Sequence, residues 1–286
     1  MAFIHNLLLI LGRGIGQVMF QNNALSGLFM LIGICLNSWQ MGILAVCGNI
    51  ISTLTAYFSG YKHDDIKNGL YGFNGTLVGI AVGVFLQLSI GSLIMLVIAS
   101  ALSTWIAYFF SQQRLLPGFT APFILAVWGM LGVCTWFIPN LLLVSDTIID
   151  TTQNINYIQA FSLGIGQVMF QGNTILAGLF FLIGILANSP KDAFYTILGT
   201  LLPIPLAILL EVDAANLNAG LMGYNGVLCA IALGGTNWKS GVWAGCSVLL
   251  STVLQILGMN MEITTLTAPF VMSVWIVMMI QRMIKK

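Results

Sequence analysis

The chain contains itself twice. Gly14-Ile15-Gly16-Gln17-Val18-Met19-Phe20-Gln21 recurs letter for letter 150 positions later, as Gly164-Ile165-Gly166-Gln167-Val168-Met169-Phe170-Gln171. Shorter echoes keep the same order. Asn37-Ser38 returns as Asn188-Ser189, Gly72-Phe73-Asn74-Gly75 as Gly223-Tyr224-Asn225-Gly226, and Thr120-Ala121-Pro122-Phe123 as Thr267-Ala268-Pro269-Phe270. Each half is therefore a copy of one unit. The offset grows to 151 between Gln17/Gln167 and Asn37/Asn188, so one residue has been added around 172–176. We place the first copy at 1–145 and the second at 146–286, forming one pore unit together. Pro139, Asp146, Asp150 and the polar run Thr151-Thr152-Gln153-Asn154 mark the break. In an apolar protein, such a repeat points to a transport path at the interface of the halves.

The protein is apolar. Charged residues make up 6% of the chain, against about a quarter in soluble domains. Hydrophobic residues make up 58%, and mean hydropathy is +0.98. Nine basic and eight acidic residues cannot cover a soluble surface for 286 residues. The class is an all-α polytopic membrane protein; the apolar runs lack the alternation of a β-barrel. Spans fit 23–38, 40–59, 91–110 and 119–139, then 173–188, 193–210, 241–258 and 266–284. Shorter apolar stretches at 3–12 and 75–88 have counterparts at 157–165 and 226–235. Five crossings and one half-membrane helix per copy fit this pattern. That makes about ten transmembrane helices plus two re-entrant ones, and an odd number of crossings inverts the second copy.

Other signals bound the reading more weakly. The net charge of +1 says nothing about partners, and there is no basic patch for nucleic acid, which is not expected as a partner. Cys35, Cys47, Cys134, Cys229 and Cys246 lack metal spacing and read as small core packers. No basic region precedes Leu7-Leu8-Leu9-Ile10, so the first segment is expected to stay as structure. Arg282, Lys285 and Lys286 favour a cytoplasmic C-terminus. Short length and sparse loops point to a bacterial inner membrane.

The repeated motifs carry the chemistry. Burying a neutral amide in a membrane without a partner costs about 2–7 kcal/mol. Gln17 and Gln167, in the same place of two copies, therefore point to a functional role, since an amide oxygen accepts from a solute N–H without carrying charge. The competing reading is that they staple neighbouring helices. Asn74 and Asn225 each open a short apolar segment and are expected to be N-caps. A non-helical run through Gly72 or Gly223 would then leave backbone carbonyls free for a polar solute. Phe73 and Tyr224 either wall that slot or are ordinary core aromatics. Gly75, Gly79 and Gly83, matched by Gly226, Ala230 and Gly234, form a small-residue ridge for close helix approach. Thr120 and Thr267 precede a proline that suits a first helical turn, so their hydroxyls either cap a helix or line the pore.

Catalytic constellations are missing from the sequence. It holds no P-loop, no paired carboxylates within a span and no Ser/His/Asp or Cys/His set. Only His5 and His63 occur, and His63 lies in the charged stretch Lys62-His63-Asp64-Asp65, which reads as a solvated turn. Neither an enzyme, a metal site nor a cofactor is expected.

At these motifs the chain resembles the urea transporters of bacteria and vertebrates. The resemblance rests on Gly-Gln-Val-Met-Phe-x-Asn-Asn-x-Leu-Ser-Gly at 16–27, Gly-Phe-Asn-Gly-x-Leu-x-Gly-Ile-Ala at 72–81 and Leu-Thr-Ala-Pro-Phe at 266–270. It implies ten spans, two tilted half-membrane helices, an inverted repeat, one pore per subunit and a homotrimer. It also implies a filter that passes planar urea in single file between apolar slots. Carried onto this chain, the polar filter residues are Gln17 and Gln167. The slot and wall residues are Phe20, Phe73, Leu77, Val168, Leu221, Tyr224 and Leu228, and the central hydroxyls come from Thr120 and Thr267. The chain departs from the family in having Ala24 where proline is common, Gly172-Asn173-Thr174 in the second copy, and Tyr224 where phenylalanine is usual. The tyrosine adds a hydroxyl near the slot.

The expectation is a passive urea channel. A channel for ammonia, short amides or water is the alternative, as is a membrane sensor that binds urea without conducting. Two unrepeated histidines do not supply an ammonia pore, and no Asn-Pro-Ala motif is present for an aquaporin.

Overall fold

The computed structural model describes residues 2–113, 115–143 and 154–284. Asp146, Asp150, Thr151, Thr152, Gln153, Lys285 and Lys286, invoked above, lie outside them. The chain divides into two compact units, Met1–Ile148 and Ile149–Lys286. Apart from an isolated bridge at Leu86 and Leu142, the described residues form helices and the turns between them.

The first unit runs α1 (Ala2–Gln17), α2 (Ala24–Asn37), α3 (Trp39–Phe58), α4 (His63–Lys67), α5 (Gly72–Phe85), α6 (Ile90–Gln112) and α7 (Ala121–Phe137). The second unit repeats that order as α8 (Tyr157–Gly166), α9 (Ile175–Asn188), α10 (Pro190–Leu201), α11 (Pro203–Leu209), α12 (Ala214–Asn218), α13 (Tyr224–Leu233), α14 (Trp238–Asn260) and α15 (Ala268–Ile284). It has one helix more because Pro203 lacks a backbone N–H. The break falls where the first copy has Ser52, inside the unbroken α3.

The repeated dipeptides are punctuation. The Ser38 backbone N–H closes α2 on the Ile34 carbonyl while its hydroxyl accepts from Met41 N–H, opening α3. Ser189 does the same between α9 and α10, through Ile185 and Asp192. Capping by Asn23 and Thr174 starts α2 and α9, so the inserted residue falls in the loop between Gln171 and Thr174. α1 differs from expectation: it continues past residue 12 to Gln17.

Among the described residues, four helical stretches are long and apolar enough to cross a membrane: Trp39–Phe58, Ile90–Gln112, Pro190–Leu209 and Trp238–Asn260. Six apolar helices are shorter, including α5 and α13 at 14 and 10 residues. At 1.5 Å per residue those two fall short of a hydrocarbon core of about 30 Å.

Polarity is turned inside out along α6. Ile90, Ile94, Ile98, Trp105 and Phe109 are exposed, whereas Ser92, Ser100, Ser103 and Thr104 are buried. Two of these hydroxyls are satisfied within the helix: Ser103 and Thr104 donate to the Ser100 carbonyl, and Ser52 of α3 donates to the same oxygen at 2.9 Å. In water this face arrangement would be unfavourable; in lipid it is the stable one. The protein is a multi-pass membrane protein. Of its cysteines, Cys134 and Cys229 are buried core packers, but Cys35 and Cys246 are exposed.

The glycine ridge brings backbones into contact. A Cβ on Gly75 of α5 would overlap the Gly48 carbonyl oxygen of α3, and a Cβ on Gly48 would overlap the Gly75 carbonyl. Gly199 and Gly226 make the same mutual approach between α10 and α13. The short helix of each unit is thus held against a longer one at backbone range.

Candidate functional site

In each unit the octapeptide ends in a tight reversal. Phe20 and Phe170 adopt left-handed backbone (φ 62° and 60°), and the Gln21 and Gln171 amides fold back onto the Gly16 and Gly166 carbonyls, both at 3.0 Å. Such a conformation is costly for an aromatic residue, about 1–3 kcal/mol, and persists only where its surroundings impose it. The second glutamine of each motif supplies part of that constraint. Gln21 and Gln171 are fully buried, and their amide nitrogens donate to the Met19 and Met169 carbonyls.

The first glutamine reaches outward instead. Gln17 Nε2 donates to the Asn68 carbonyl at 3.0 Å, and Gln167 Nε2 donates to the Ala219 carbonyl at 3.0 Å. A carbonyl can only accept, so each contact fixes which end of the amide faces the backbone. The nitrogen is committed and Oε1 remains as the acceptor. Both side chains are half-buried. The stapling half of the sequence reading is met by the nitrogen end of each amide.

The asparagines differ from expectation. α5 begins at Gly72 and α13 at Tyr224, so Asn74 and Asn225 lie inside the first turn and do not cap. The Gly72 and Gly223 carbonyls are not left free either. Gly72 O accepts from the Thr76 hydroxyl at 3.1 Å, and Gly223 O accepts from Val227 N–H at 3.0 Å. The side chains act further away: Asn74 Oδ1 accepts from Phe123 N–H, and Asn225 Oδ1 from Phe270 N–H, each at 3.1 Å. Proline at 122 and 269 supplies no N–H, so the next residue offers the donor. Each asparagine thereby ties the start of a short helix to the start of the helix after Thr120 or Thr267.

Thr120 and Thr267 are buried at those joints. No side-chain cap bond forms at Thr120, which removes the capping reading there. The preceding residues, Phe119 and Leu266, are left-handed at φ 46° and 50°. The Phe119 ring meets the Phe20 ring edge-on at 5.9 Å, bringing the octapeptide turn to the Thr120 turn.

Of the residues expected to form walls, Leu77, Val168 and Leu228 are buried, and Phe20 and Phe73 are half-buried. Leu221 packs against the apolar cluster of Ala160, Ile204, Ala207, Leu217 and Met222. The Tyr224 hydroxyl is already engaged: it is buried, donates to the Leu266 carbonyl at 2.8 Å, and lies 3.0 Å from Gln255 Oε1 and 3.2 Å from the Thr265 hydroxyl. Gln255 and Thr265 escaped the sequence reading because neither is repeated. The one signal was an amide on the inward face of an apolar helix. Among the described residues, no cluster of His, Cys, Asp or Glu could hold a metal.

The urea transporter family model matches residues 8–282. Urea transporter 1 of sheep (Ovis aries) is 29% identical over 260 residues, covering 85% of this chain and 67% of the relative. Urea transporter 1 of rat (Rattus norvegicus) is 31% identical over 242 residues, covering 78% and 62%. The mouse (Mus musculus) protein of that name is likewise 31% identical, over 245 residues. The chain spans about two thirds of the length of these relatives.

Proposed function

Because this chain belongs to the urea transporter family, we propose that it carries urea across a membrane passively, as a channel and not as an enzyme. The observation that carries this reading is the pair of glutamines held by their nitrogens, each keeping Oε1 as an acceptor. Urea is planar and neutral, with four N–H donors and one acceptor oxygen. Amide oxygens match its edge, and apolar side chains match its faces. In this reading the two units are inverted halves around one pore, with ten spans and two half-membrane helices. Gln17 and Gln167 form the polar filter. Phe20, Phe73, Leu77, Val168, Leu221, Tyr224 and Leu228 form the walls, and the Thr120 and Thr267 hydroxyls sit at the centre. A homotrimer in a bacterial inner membrane completes the proposal.

None of these filter and wall side chains changes charge between about pH 5 and 8. Urea flux is therefore expected to stay constant across that range. It is also expected to be equal with and without a proton or sodium gradient. Stopped-flow urea flux in liposomes of purified protein checks both. Gradient-driven accumulation would overturn the channel. Urea binding without flux would favour the sensor, and flux of ammonia or short amides in place of urea would reassign the permeant.

A further inference from the structure

The two copies differ where Tyr224 points. Leu102-Ser103-Thr104 of α6 matches Leu250-Ser251-Thr252 of α14, so Gln255 stands where the first copy has Ala107. Counted back from Thr120 and Thr267, Thr265 stands where it has Gly118. Together with Tyr224 for Phe73, three side chains become polar in one place. In the second unit these three meet. Gln255 Oε1 lies 2.8 Å from the Thr265 hydroxyl, 3.1 Å from Asn225 Nδ2 and 3.0 Å from the Tyr224 hydroxyl.

An amide oxygen has two lone pairs, and the bonds can all be satisfied. Thr265 and Asn225 donate to Gln255, and Tyr224 donates to the Leu266 carbonyl. The last bond grips the left-handed residue just before Thr267. Through its other end, Asn225 accepts from Phe270 N–H, three residues after Thr267. Both flanks of Thr267 are thus fastened to one network. In the first unit Asn74 keeps the corresponding bond to Phe123, but its Nδ2 is buried with no partner.

We propose that Tyr224, Gln255 and Thr265 form a polar lock, absent from the first copy, that fixes the backbone around Thr267 and so positions its hydroxyl for the permeating solute. Gln255 is a positioning residue: it acts through Asn225 and Thr265. The effect on the solute rests on the urea reading above; the lock itself does not.

The test uses full-length protein in three variants. Tyr224→Phe removes the hydroxyl and keeps the ring, Gln255→Leu removes the acceptor, and Gln255→Glu keeps an acceptor oxygen. Amide hydrogen exchange over 265–271 is expected to accelerate about tenfold in the first two and stay near wild type in the third. In liposomes, the ratio of urea to methylurea flux is expected to fall about threefold in Tyr224→Phe and recover in Gln255→Glu relative to Gln255→Leu. Unchanged exchange in that segment would overturn the lock whatever the flux. Faster exchange with an unchanged ratio would reduce it to a stabilising network and overturn its role in positioning. If wild-type protein passes no urea, the urea reading fails alone, and the exchange data decide the lock.

Discussion

Replacing Gln17 and Gln167 together by leucine is expected to lower urea flux about a hundredfold, with each single variant losing about tenfold. These magnitudes follow from one hydrogen bond to the solute at each site, at up to about 1.5 kcal/mol. The informative companion is glutamate. A carboxylate presents an acceptor to the solute but has no N–H for the Asn68 or Ala219 carbonyl, which these side chains now contact at 3.0 Å. Gln17→Glu is therefore expected to fail nearly as badly as leucine. If the glutamate variant conducts like wild type, the amide nitrogen is not what orients the filter. Stopped-flow flux at matched protein density, with the helical circular dichroism signal intact, gives the measurement.

The second large effect concerns the backbone contact between α5 and α3. Gly75→Leu is expected to abolish the folded protein, because even the Cβ would overlap the Gly48 carbonyl and the Ser52 hydroxyl. Separating the helices would also pull Asn74 away from Phe123 N–H and dissolve the Thr120 joint. Overpacking a tight interface costs about 1–3 kcal/mol when side chains can shift; here the obstacle is backbone, which cannot. Gly226→Leu should fail likewise against Gly199 and its carbonyl. Size-exclusion profiles of detergent-solubilised protein decide the matter: a monodisperse peak for either variant would show that the helices can move apart.

Both predictions begin from residues that the duplication singles out, and the reason is physical. A surface position drifts freely after a gene doubles, whereas a residue with the same neighbours in both copies does not. Ser38 and Ser189 each close one helix and open the next, and the glycines of α5 and α13 face a carbonyl in each unit. Helix class followed from apolar length, although α1 exceeded its expected end and Pro203 split a span. Legibility failed at Asn74. Its N-cap assignment followed from local preference, yet the helix already begins at Gly72, and the side chain serves a residue 49 positions away. Gln255 was illegible for a different cause: an isolated amide in an apolar run carries no sign of its partners.

The sequence by itself determined that this is a doubled, helical membrane protein, because periodicity, apolar length and repetition are properties of the chain taken in order. It also determined which side-chain chemistries the repeated motifs offer: two amides, two hydroxyls and a set of apolar side chains, with no catalytic constellation among them. Only the tertiary structure decided which atom of each group is free. Gln17 keeps its oxygen because a carbonyl from residue 68 takes its nitrogen, and Tyr224 loses its hydroxyl to the Leu266 carbonyl. Hydrogen bonding is saturable and directional, so a polar atom's role depends on what has already claimed it. In this fold the claimants lie about 40 to 50 residues away and meet it only once the helices are packed.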